Sequence, residues 1–142
     1  AAYKSTGNKR FLEVARDTTS FLTATTFSHG VLQPIGNEMW YVKGAERAFY
    51  DQQPVDAAAS TELYVQAYRA TGDPEYSQLA QAAYSWYLGK NVHGLPVADP
   101  STGYCYDALT REGVNLNQGA EACTTFLMAT LALNSMAASA SS

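Results

Sequence analysis

Apolar residues recur at three- and four-residue spacing in four stretches of the chain, and each stretch predicts a helix. In 9–26, Phe11, Val14, Ala15, Thr18, Phe21 and Leu22 form one stripe, expected to be buried, behind a Thr6-Gly7-Asn8 turn that offers Asn8 as a cap. In 54–70 the stripe is Val55, Ala59, Leu63 and Ala67, small enough for close helix approach. Pro54 suits the first turn of this helix, Asp51 is its expected cap, and Asp56 complements the helix dipole. Thr71-Gly72-Asp73-Pro74 ends it and opens a third helix, 75–88, with Tyr76, Leu79, Ala83 and Trp86 inward. The fourth, 118–137, is apolar almost all round through Phe126, Leu127, Met128, Leu131 and Leu133, which predicts a central position before a fraying Ala/Ser tail.

The pattern is written twice. A shift of 65 residues carries Tyr3, Thr6, Gly7, Ala15 and Ser20 onto Tyr68, Thr71, Gly72, Ala80 and Ser85. It also carries Phe11, Val14 and Phe21 onto Tyr76, Leu79 and Trp86, and Gln53, Asp56 and Ala57 onto Gln118, Glu121 and Ala122. Helix, long loop, helix, repeated over about 3–67 and 68–132, predicts an all-α fold. The two hairpins would form a partial (α/α)-toroid or an α-solenoid-like array within one domain.

Bulk properties narrow the function classes. A length of 142 residues fits one domain with a core of its own. The net charge of -4, without a run of lysine or arginine, argues against nucleic acid as a partner. No apolar stretch approaches the length of a membrane span. Cys105 and Cys123 fit either one disulfide or two free thiols, and the compartment stays open. The absence of an initiator methionine leads us to expect a processed product or a piece of something longer.

Two loops of nearly 30 residues are long for a compact domain, and loops of that kind usually carry function. Both end at a Gln-x-x-acid step opening a helix, which brings Asp56 and Glu121 to the same end of the array. Two carboxylates across a cleft serve glycosidic cleavage as acid and base, although the helix dipole and capping already explain an acid in the first turn of each helix. Asp51 and Asp107 are the loop-borne alternatives. Trp40, Tyr41, Tyr104 and Tyr106 lie off the helical stripes, beside Gln52, Gln53, Asn115, Asn117 and Gln118. Aromatic faces next to amides suit the apolar faces and hydroxyls of sugars, and would equally anchor the loops. His29 and His93 lack a third ligand at metal spacing, so they read as turn residues and no metal site is expected. No Gly-rich phosphate loop, serine elbow or dinucleotide fingerprint points to a cofactor.

Several segments together carry a resemblance. They are Gln33-Pro34-Ile35-Gly36-Asn37 with Trp40-Tyr41, Asp51-Gln52-Gln53-Pro54-Val55, Ala67–Pro74, Trp86-Tyr87-Leu88-Gly89 with Asn91, Cys105-Tyr106-Asp107, and Gly113–Glu121. In this order the chain resembles the C-terminal part of bacterial glycosidase-like proteins with an (α/α)-toroid, or six-hairpin, fold, a module also found attached to glycosyltransferases. The resemblance implies alternating inner and outer helices, loops framing a sugar-sized funnel, and carbohydrate as the partner. Two departures stand out: Ala122-Cys123 replaces a usual serine step, and Glu38-Met39 precedes Trp40 where smaller residues are more usual. The chain holds about two of the six hairpins that close a toroid.

The leading expectation is a carbohydrate-active or carbohydrate-binding hairpin protein, hydrolysing a glycosidic bond if it is an enzyme. The alternative is a non-catalytic protein that self-assembles into a ring or filament through apolar edges, or that meets a partner supplying further hairpins.

Overall fold

The computed structural model describes residues 2–39 and 41–140. The chain runs α1 (Ala2–Thr6), α2 (Lys9–Thr26), β1 (Phe27–Ser28), β2 (Val31–Leu32), α3 (Pro54–Thr71), α4 (Pro74–Ser85), β3 (Ala108–Thr110), β4 (Gly113–Asn115) and α5 (Ala120–Ala140). No helix among the described residues is long and apolar enough to cross a membrane.

The helix starts are set by local chemistry. Asn8 accepts from the Arg10 N–H at 3.0 Å to cap α2, and Asp73 does the same for the Glu75 N–H at 3.0 Å on α4. Gly72, at φ 75°, closes α3 in the left-handed conformation that favours glycine. Helix α3 is capped by Gln53, without a side-chain bond, rather than by Asp51.

The expected all-α, toroid-type architecture is corrected by the connections, which contain two antiparallel two-stranded sheets. The first is a hairpin whose turn residues, His29 and Gly30, both have positive φ (50° and 76°), the combination that matches the twist of paired strands. The second pairs Ala108 with Asn115, Leu109 with Val114 and Thr110 with Gly113 around a tight Arg111-Glu112 turn. Helical periodicity could not reveal either, since strands this short leave no repeat to read.

The core forms where α3 packs along both α4 and α5. Trp86, Tyr87, Tyr64, Phe126 and Leu109 are fully buried within it, each worth about 2–3 kcal/mol relative to an exposed position. Two other expectations change here. The α2 stripe is not buried: Phe11, Val14 and Phe21 are 48%, 56% and 56% exposed, and only Thr19 and Thr26 of that helix are enclosed. Helix α5 is not central, because Leu127, Met128 and Leu131 face outward while Phe126 and Ala129 face the core. In both helices the apolar face exceeds what α3 and α4 cover.

Candidate functional site

The two long loops meet at the start of α3. Gln52 and Leu109 exchange backbone hydrogen bonds, each N–H to the other's carbonyl at 2.9 Å. The Gln52 side chain is buried: its oxygen accepts from Trp86 Nε1 at 2.9 Å and its amide donates to the Phe49 carbonyl at 3.1 Å. Two residues on, the Pro54 carbonyl accepts from the buried Tyr87 hydroxyl at 2.6 Å. The aromatic pair that closes α4 thus fixes the chain as it enters α3. Gln52 is committed to that task, while its neighbours Asp51 and Gln53 remain half-exposed.

A small polar hollow of about 260 Å³ opens between the starts of α3 and α5, lined by Gln53, Val55, Asp107, Gly119 and Glu121, among others. Asp107 builds its wall. Its carboxylate accepts from the Gly119 N–H at 2.6 Å and from the Asn117 side-chain amide, which holds the entry to α5. A β-carbon on Gly119 would lie 2.8 Å from that carboxylate, so glycine permits the close approach. A carboxylate against the first free N–H groups of a helix is also favoured by the dipole.

Asp56 stands one residue beyond Val55 and lines a second, more apolar hollow of about 340 Å³ with Leu22, Pro34, Ile35 and Ala59. Although water reaches it, crowding by these neighbours raises its pKa above the ordinary aspartate value, and the negative charge of Glu121 raises it further. Glu121 is exposed. The charge of Glu121, at the start of α5, is thus felt by Asp56 at the start of α3, although the two acids line different hollows.

Other candidates are placed elsewhere. Tyr104 and Tyr106 form a tilted pair with ring centres 5.1 Å apart, and a hydrogen bond to Tyr106 raises the Tyr104 pKa. Asn115 uses its side chain to accept from the Asn117 N–H at 3.1 Å, and Gln118 is exposed. Asp51 and Tyr41 line neither hollow. Trp40 lies outside the described residues. Burial pushes the Cys105 thiol up to about 12, and Cys123 donates to the Cys105 carbonyl at 3.6 Å. Both cysteines are free.

Sequence reasoning missed a stack that joins the loops. Arg111 pairs with Glu38 at 3.1 Å and lies over the Tyr50 ring, 5.3 Å from its centre. Tyr50 in turn stacks on His93 at 5.4 Å, and His93 Nε2 meets the Thr110 carbonyl at 2.8 Å. These residues are far apart in the chain and share no motif, so no local signal marked them. His93 is thus a bridge between the loops and not merely a turn residue.

No protein-family model matches the chain, and no curated protein is significantly similar to it.

Proposed function

We propose that the chain is a carbohydrate-binding or carbohydrate-active protein of glycosidase-like kinship, with its site at the polar hollow between the starts of α3 and α5. The observation that carries this reading is the polar hollow lined by Gln53, Asp107 and Glu121, with Asp56 in the neighbouring hollow, its pKa raised by burial and by the charge of Glu121. A carboxyl that resists ionisation next to one facing water is the division of labour needed for a general acid and a base. Asp56 takes the acid role and Glu121 the base. Asp107 shapes the wall, and Gln53 offers an amide to sugar hydroxyls.

The test is a panel of neutral oligosaccharides by ligand-observed NMR, followed by chromogenic glycosides with wild type, Asp56→Asn and Glu121→Gln. Binding or turnover lost in the variants supports the assignment. If no sugar binds, the carbohydrate reading fails; turnover that survives the double substitution rejects the two acids alone.

A second reading, non-catalytic self-association, draws on the apolar strip Leu127, Met128 and Leu131 left bare on α5, a helix that carries a single charge at Glu121. Light scattering decides it: a monomer at high concentration rejects it.

A further inference from the structure

Cys105 and Cys123 stand 18 positions apart, the first in the loop before β3 and the second in the first turns of α5. The fold brings them together. The Cys123 thiol donates to the Cys105 carbonyl at 3.6 Å, and both side chains belong to the packed core. Burial raises the Cys105 pKa, and the neighbouring Cys123 thiol raises it further.

Bonds that do not involve sulfur hold the two segments in this position. The Asp107 N–H donates to the Asn117 carbonyl at 2.9 Å, and the Gly119 N–H donates to the Asp107 carboxylate at 2.6 Å. The Cys123 N–H donates in turn to the Gly119 carbonyl at 3.1 Å. On its other side the Cys105 segment is fixed by a bridge to Ala98 and by the Tyr106 N–H on the Val97 carbonyl at 2.8 Å. Among the described residues no group of three His, Cys, Asp or Glu side chains could hold a metal, so the thiol pair lacks further ligands.

We infer that Cys105 and Cys123 are a cross-linking site that closes to an intramolecular disulfide with a small disulfide oxidant such as oxidised glutathione. Cys123 is partly exposed and reacts first. Its thiolate attacks one glutathione sulfur and expels one glutathione thiolate. Cys105 then gives its proton to water, and its sulfur displaces the second glutathione from the Cys123 sulfur. The two cysteines lose two electrons and two protons, and oxidised glutathione becomes two glutathione thiols. The second step is slow, because the buried Cys105 thiol ionises rarely at neutral pH. The bond would pin Asp107, two residues beyond Cys105, against the start of α5 and so fix the wall of the polar hollow. The inference is independent of what that hollow binds.

The test equilibrates the full chain with mixtures of reduced and oxidised glutathione, once folded and once in urea. Remaining thiols are then alkylated and the peptides mapped by mass spectrometry. The expected product joins the Cys105 and Cys123 peptides, two hydrogens lighter than the reduced pair. Its equilibrium constant should be about tenfold or more larger in the folded chain, where loop closure is already complete. Thiols that stay reduced, a lasting glutathione adduct on Cys123, or bridges between chains would each overturn the inference. A constant no larger folded than in urea would overturn it too, since the fold would then contribute nothing to the pairing.

Discussion

The segments Ala2–Phe21 and Ala67–Trp86 start from the same turn, bond for bond, and end in opposite surroundings. Gly7 and Gly72 donate to the carbonyls of Tyr3 and Tyr68, and Thr6 and Thr71 each donate to the carbonyl four residues back. Trp86 is fully buried and bonded to Gln52, whereas its counterpart Phe21 is 56% exposed. Local hydrogen bonds between residues two to four apart need no third party, so the turn forms identically in both places. Burial needs a surface supplied from elsewhere in the chain: α4 packs closely along α3, whereas α2 meets α3 across an open apolar groove lined by Phe11, Ala15, Leu63 and Ala67. Helix boundaries are thus a weak guide to which helices hold the fold together. The same division explains the candidate site, which lies where the well-packed part of the molecule, α3 with α4 and α5, presents its helix starts.

The largest effect separating the two segments should come from removing the paired aromatics. Trp86→Ala is expected to cost about 3–5 kcal/mol in urea denaturation, because it opens a cavity and strands the Gln52 side chain. Phe21→Ala should stay within about 0.5 kcal/mol, as surface substitutions do. Comparable costs would mean that α2 is packed after all.

The caps should respond alike. Asn8→Ala and Asp73→Ala each remove one side-chain bond of 3.0 Å to a helix N–H, and each is expected to weaken its own helix by about 1 kcal/mol. Native-state hydrogen exchange of α2 and α4 measures the two separately. A cap effect confined to α4 would show that the first turn does not persist.

The smallest effect concerns charge at the site. Asp56 has its pKa raised in the folded chain, so its ionisation opposes folding at neutral pH, and the favourable contribution belongs to the protonated form. Asp56→Asn is expected to raise the thermal midpoint slightly at pH 7. That advantage should shrink as the pH falls through the raised pKa and vanish below the ordinary aspartate value of about 3.9. Melting curves of the two proteins between pH 3 and 7 check the sign, and a gap that widens toward acid contradicts the raised pKa.

Legibility followed the same line. The limits of α2 and the start of α3 could be read directly, from Asn8 and from Pro54. The equivalence of Asp56 and Glu121 was readable from the repeat; that the charge of Glu121 helps to raise the Asp56 pKa was not. Asp107 was legible as an acid, but its part in holding Gly119 and Asn117 was not. Gln52 looked like a ligand for sugars because it sits among polar loop residues, yet Trp86, 34 positions away, draws it into the core. The two hairpins escaped because two- and three-residue strands carry no period, and their turn signals sit inside loops already rich in glycine.

The sequence alone determined the interactions that close within a few residues: the four long helices, the caps of α2 and α4, and a turn written twice. Those elements pair groups that are never far apart, so no other part of the chain can alter the outcome. The tertiary structure decided which apolar stripes are covered, how the loops are tied by Gln52 and by the Arg111–Tyr50–His93 stack, and that the charge of Glu121 reaches Asp56. Each of these depends on a partner brought from dozens of residues away, and the distance between two points in space is not written at either point in the chain.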